Sequence, residues 1–291
     1  MDQAEQLRNI VKKSQQSFPK ARIFTVTSGK GGVGKSNTVV NLAVQMQKRG
    51  KRVIIFDADF GLANVEIMFG AIPRYNLSDL IYRGRPLREI ITPGPMDVGF
   101  ISGGSGITGV NNLTRDQLRF LVQSLSELDA LADIIIIDTG AGISDSVLEF
   151  VTASPEVLLV VTPEPSSLTD AYSLLKALHR NEEFLQSQTR VKVIANRVMS
   201  EDEGTGIFGK LSAVVGQFLK GDLEFLGLVP QDAALEKAVR QQKPVSILYP
   251  EAKSTKSYEM IASRLLGMEG ASQPEKKGIL QMLSRFIYRK N

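Results

Sequence analysis

The sequence contains no cysteine, and among its 291 residues there is one histidine. Without thiols there can be no disulfide framework and no thiolate metal or cluster site, which excludes disulfide-stapled scaffolds and cysteine-ligated cluster carriers. The lone histidine, His179, has no second ligand of its kind and falls near the end of a predicted helix, where a surface or capping role accounts for it. No apolar run approaches the roughly 18–20 residues of a membrane-crossing helix, and the polar N-terminus has no signal-peptide core. The expectation is a cytoplasmic protein. Linkers rich in glycine, proline or serine are also missing, so the central chain is expected to be one domain.

What is present is an ordinary globular composition, 43% hydrophobic and 7% aromatic, with a formal net charge of +4. The segment around residues 22–36, RIFTVTSGKGGVGKS, organises the rest. Ile23 to Thr27 is a short β-branched and aromatic run, GKGGVGKS follows from Gly29 to Ser36, and an amphipathic helix is predicted from about Gly34 to Lys48. Strand, glycine-rich loop and helix in that order, with Gly29, Gly34, Lys35 and Ser36 matching G-x-x-x-x-G-K-[ST], make a phosphate loop. Glycines at 31, 32 and 34 let N–H groups, with those of Val33 and Asn37 nearby, curl around phosphate at the positive end of a helix. Lys35 would reach the β/γ oxygens and Ser36 would coordinate Mg²⁺, so the expected ligand is a nucleoside triphosphate with Mg²⁺. A plain glycine-rich turn would not explain Lys35 and Ser36.

Further strands are read as buried parallel elements because their apolar runs are continuous rather than alternating. They are Arg52–Asp57, Asp133–Asp138, Glu156–Thr162, Val191–Ala195 and Glu224–Val229, with a shorter strand at Asp97–Ser102. Alternation with helices predicts an α/β, doubly wound, mostly parallel sheet of about seven or eight strands with helices on both faces. Asp57 and Asp59 end one strand and Asp138 ends another, where carboxylates can hold Mg²⁺ and orient water. Thr114 with Gln117 opens a predicted helix over Leu113–Leu131. The stretch from Ile72 to Gly109 is weakly periodic, and its glycines at 103, 104, 106 and 109 read as a surface loop.

Lys30, inside the loop, makes the sequence K-G-G-V-G-K-S, which resembles the deviant phosphate loop of MinD/ParA-type ATPases. That resemblance implies a homodimer in the ATP state, with Lys30 reaching the partner's nucleotide. It assigns the water-positioning role to Asp59, within D-A-D-F-G-L-A-N, and Mg²⁺ contacts to Asp57 and Asp138. The T-G-A-G-I string resembles the family's switch II, with Gly142 near the γ-phosphate and Gly140 in place of the usual proline. Asn196-Arg197 and the Pro230/Asp232 loop look like the adenine-contacting elements, and no N-K-x-D guanine reader is present. Glu164 and Asp170 would lie near the dimer face, although helix capping alone accounts for much of that segment.

Both tails carry expectations. Residues 1–20 are polar with a thin apolar stripe, and D-Q-A-E-Q-L-R resembles the N-terminal activator motif of the FlhG group, which implies stimulation of an FlhF-type GTPase. Residues 268–291 are a linker and a basic amphipathic helix from Glu275 onward, with Ile279, Leu280, Met282, Leu283, Phe286 and Ile287 on one face. That helix can lie on anionic lipid of the inner membrane, pack on the core or bind a partner, and the resemblance favours the membrane. The implied domains are 1–20, an ATPase domain over 21–267, and 268–291. The implied role is a peripheral membrane ATPase regulating flagellar number or placement, acting on basal-body or C-ring proteins with no specific nucleic acid. The alternatives are a ParA-type partitioning ATPase and a MinD-type division-site regulator.

Overall fold

The computed structural model describes residues 20–60, 64–104, 112–186, 189–267 and 278–288. The activator-like tail over 1–19, residues 61–63 of the first switch-like stretch, glycines 106 and 109, and the linker from 268 to 277 lie outside the described residues. So does the expected start of the last helix at Glu275.

Eight strands form one sheet in the order β3-β4-β2-β5-β1-β6-β7-β8. They are β1 Arg22–Thr27, β2 Val53–Ala58, β3 Thr92–Pro93, β4 Gly99–Ile101, β5 Ile134–Thr139, β6 Glu156–Val161, β7 Arg190–Val198 and β8 Glu224–Pro230. Every described pairing is parallel except β3 with β4 at the edge. In β1, β2, β5 and β6 all six residues are buried, as continuous apolar runs require when both faces of a sheet are covered.

Side chains alternate between the faces. Phe24, Val26, Ile134, Ile136, Leu158 and Val160 join the core under the helices Lys35–Gln47 and Lys253–Gly267. Ile23, Ile135 and Ile137 point the other way, beneath Leu77–Arg83, Arg115–Leu125 and Gly278–Tyr288. On that second face β6 and β7 pack against Pro165–His179 and Glu201–Leu219. β1 is central and flanked by β5 and β6, so the loop after it lies at the carboxyl edge where ligands bind in such sheets.

Three findings depart from the sequence reading. The weakly periodic stretch after Ile72 contains a helix that the sequence reading did not assign, Leu77–Arg83, capped by Asn76, which accepts from Ser78 N at 2.8 Å while Asp79 accepts from Asn76 N at 3.0 Å. The element is too short for its periodicity to stand out. The predicted helix over Leu113–Leu131 is divided into Arg115–Leu125 and Leu128–Leu131. The last helix, described over Gly278–Tyr288, seats Ile279, Leu280, Met282 and Leu283 in the core, all at most 6% exposed. Those residues therefore take the core-packing arrangement, against Arg115–Leu125, rather than facing solvent. His179 also takes the bland role, its Nδ1 lying 2.8 Å from Leu175 O and its ring edge-on to Phe184.

Candidate functional site

The loop after β1 is held from three sides. Gly142 N donates to Ser28 O at 2.9 Å, which fixes the turn after β5 against the loop's entrance. Gly29 lies against the main chain of Asp170, where a Cβ would strike the carbonyl carbon. At the exit, Gly34 has φ +93° and faces the side-chain nitrogen of Asn196, which donates to Val33 O at 2.7 Å. The Val33 side chain is core, 2% exposed, so its main chain alone can serve a ligand. Gly31 and Gly32 are open, and the helix starts at Lys35.

Charge in the cleft is arranged across adjacent strands. Asp57 and Asp138 are register partners on β2 and β5, buried at 1% and 0% exposure. Lys35 Nζ lies 2.9 Å from Asp138 Oδ1, while Asp138 Oδ2 is buried without a partner. Asp57 accepts from Asp59 N at 3.1 Å and from Val65 N at 3.3 Å, yet burial and the neighbouring Asp138 hold its carboxyl well above the ordinary range. Asp59 is raised as well, mainly by burial, with Lys35 opposing, and its Oδ2 accepts from Asn64 Nδ2 at 2.9 Å. Three carboxylates thus meet one buried lysine. That imbalance and the unpartnered Asp138 oxygen fit a divalent cation accompanying a polyphosphate. Among the described residues no three His, Cys, Asp or Glu side chains form a cage for a metal by themselves.

Two cavities meet here. One of about 710 Å³ is lined by Gly31, Gly32, Gly34, Lys35, Ser36, Asn37 and Asp59 together with Phe60, Asn64, Met68, Gly140, Ser144 and Ser146. The other, about 410 Å³, is lined by Gly34, Asn37, Asn196, Arg197, Pro230 and Asp232 with Gln231, Leu235, Glu236, Val239 and Arg240. Gly34, Asn37 and Arg197 border both, so the larger cavity against the glycine loop adjoins the smaller one. A register shift between Asn196 and Val198 turns Asn196 inward, 1% exposed, with its Oδ1 unpartnered, while Arg197 takes a left-handed φ of 59°. Asp232 borders the second cavity, but both carboxylate oxygens are engaged. Oδ1 accepts from Ala234 N at 2.8 Å, and Oδ2 from Ser254 N at 2.9 Å and Ser254 Oγ at 2.8 Å. Its part is to hold the loop. Leu235, Glu236, Val239 and Arg240 went unremarked in the sequence, and their helical spacing after the Asp232 cap is the signal that could have found them.

Lys30 does not line the larger cavity. Its Nζ lies 2.6 Å from Glu164 Oε2 and 2.9 Å from Ser166 Oγ, at the start of the helix Pro165–His179.

The chain matches the model of the CobQ/CobB/MinD/ParA nucleotide binding domain over residues 24–245. It is 39% identical to the antiactivator FleN of Pseudomonas aeruginosa over 253 residues, 87% of this chain and 89% of that protein. It is 32% identical to the flagellum site-determining protein YlxH of Helicobacter pylori over 98% of each chain. Among solved structures, the septum site-determining protein MinD of Pyrococcus horikoshii, complexed with Mg-ADP, superposes with a TM-score of 0.67 at 22% identity, covering 86% of this chain and 98% of that one.

Proposed function

This chain belongs to the MinD/ParA-type nucleotide-binding family and, within it, to the group of FleN and YlxH; from that premise we propose that it is an ATP-driven dimerising ATPase that regulates flagellar number or placement. The observation that carries the reading is the YlxH alignment, which spans 98% of both chains and so includes the tails as well as the nucleotide domain.

In this reading ATP occupies the joined cavities, its phosphates on the Gly29–Asn37 loop with Lys35, its base between Asn196 and the loop that Asp232 holds. Mg²⁺ would be held by Ser36 with Asp57 and Asp138, and when bound it supplies neutralising charge. Asp59 orients the attacking water, and Gly142, whose N–H is donated to Ser28 O in this structure, must release that bond before it can reach a γ-phosphate as the switch-II resemblance implies. Lys30 leaves Glu164 to reach the nucleotide of a second copy. Residues 1–20 activate an FlhF-type GTPase, and the regulated targets are basal-body or C-ring proteins. The helix Gly278–Tyr288 contacts anionic lipid of the inner membrane once it leaves its place against Arg115–Leu125, and dimerisation is the event that frees it.

Size-exclusion chromatography with ATP and Mg²⁺ tests the core of this. Asp59→Ala is expected to bind ATP, to lose at least 10-fold in phosphate release and to accumulate as a dimer, whereas Lys30→Ala stays monomeric. Monomeric Asp59→Ala, or undiminished phosphate release, would overturn the assignment.

A further inference from the structure

Residues 74–89 place four arginines, Arg74, Arg83, Arg85 and Arg88, against two carboxylates, Asp79 and Glu89. Two of the arginines converge on one ring: the guanidinium carbons of Arg74 and Arg85 lie 5.2 Å and 4.4 Å from the centroid of Tyr75. Arg85 also pairs with Glu89 at 3.1 Å, but Arg74 is exposed and has no carboxylate partner among the described residues. A tyrosine face lowers the cost of holding two like charges close together, and it leaves the donor edge of Arg74 free for an anion, while Arg85 shares its own with Glu89.

The surroundings narrow the kind of anion. Ile72 is 94% exposed and Tyr82 is 54% exposed, and on the neighbouring helix Phe120 is 40% exposed. Leu77–Arg83 packs on Arg115–Leu125, which in turn carries Gly278–Tyr288, so the arginines and these apolar groups share one layer of the molecule with the C-terminal helix. Guanidinium groups interleaved with exposed aromatic and aliphatic side chains suit the headgroup boundary of a bilayer, where phosphate lies beside hydrocarbon. A nucleic-acid backbone asks instead for an unbroken basic row, and Asp79 and Glu89 interrupt this one.

We propose that the edge formed by Arg74, Tyr75 and Arg85 binds the phosphate headgroups of anionic lipid, and that it does so while the C-terminal helix is still docked. The inference rests on the membrane-associated reading above and adds to it a first contact that needs neither ATP nor helix release. Because the contact is electrostatic and exposed, it weakens steeply with salt.

The test is co-sedimentation of the full chain in ADP, at low ionic strength, with vesicles of phosphatidylglycerol and phosphatidylcholine or of phosphatidylcholine alone. Binding is expected only to the anionic vesicles. Arg74→Glu combined with Arg85→Gln lowers it about 10-fold or more, the double lysine variant retains it, and an unchanged unfolding midpoint shows the fold intact. Arg74→Glu alone, which disturbs no ion pair, falls in the same direction. If ATP-dependent binding occurs but neither arginine variant affects binding in ADP, the edge is not a lipid contact and the broader reading stands. No vesicle binding in either nucleotide sinks both. Binding of duplex DNA that depends on Arg74, without vesicle binding, assigns the edge to nucleic acid and overturns the proposal.

Discussion

Asp129 caps the C-terminal helix from another part of the chain: its Oδ1 accepts from Ile279 N at 3.2 Å and from Ala21 N, just before β1, also at 3.2 Å. One carboxylate thus ties the helix start to the base of the central strand. Burial raises the Asp129 carboxyl above its ordinary value against the pull of those two N–H groups. The folded state therefore holds that proton more tightly than the unfolded chain, and this residue's contribution to stability declines as pH rises from the ordinary carboxylate range through the raised value.

Asp129→Asn keeps an acceptor and removes the buried charge, so it is expected to match or exceed the parent near neutral pH and to lose that pH slope. Asp129→Leu strands the two N–H groups and costs about 1–3 kcal/mol. Urea unfolding measures both, and hydrogen exchange at Ile279 should accelerate only in the leucine variant.

A second expectation concerns acid. Glu156, 2% exposed, accepts from Arg22 Nε at 2.6 Å and lies 2.7 Å from Lys192 Nζ, so three strands meet in one buried ion triad. Burial pushes the glutamate up, but the two cations outweigh it and leave its carboxyl below the ordinary value. Its stabilisation is complete above the unfolded-state value and is lost as pH falls through the depressed one. Glu156→Gln leaves two buried cations on a neutral amide and is expected to cost about 3–5 kcal/mol. Thermal unfolding from pH 7 downward should show the parent losing stability over a range where the variant is already low and flat.

The loop glycines should differ. Alanine at Gly29 would collide with the Asp170 main chain, which cannot rotate away, so the loop must shift. Nucleotide affinity is expected to fall at least 10-fold, since the N–H groups lose their common focus. Gly31 has nothing within 4 Å of an added Cβ, and Gly31→Ala should leave the unfolding midpoint unchanged. Fluorescent-nucleotide titration and thermal melts distinguish the two.

The Lys30–Glu164 pair is exposed enough to add little to stability. Both groups are substantially exposed, and Lys30 holds the Glu164 carboxyl below its ordinary value. Glu164→Gln should leave stability unchanged while freeing Lys30, so that dimers form at lower ATP concentration by light scattering. A need for more ATP would mean that Glu164 serves the dimer itself.

The phosphate loop, Asp57, Asp59, Asp138 and most of the sheet were legible because their signals are local. A continuous apolar run has to be covered on both faces, and a G-x-x-x-x-G-K-S string between strand and helix has one structural solution. The short helix Leu77–Arg83 was not legible, nor was the engagement of Asp232 by Ser254, whose partner lies 22 residues further along the chain. Asn196 was legible as a position, but not as the residue that binds Val33 O with one side-chain atom and leaves the other unpartnered.

The sequence by itself determined that a nucleotide loop would follow the first strand of a parallel sheet, and that the last segment would be an amphipathic helix. Only the tertiary structure decided what that helix covers in this state, because apolar burial has no direction and a stripe of isoleucine, leucine and methionine suits lipid or core equally. The Asp129 cap settles the choice here. Tertiary structure alone also brought Arg74 and Arg85 to one tyrosine and gathered Arg22, Glu156 and Lys192 from three strands, since such meetings depend on strand order and helix packing rather than on spacing along the chain.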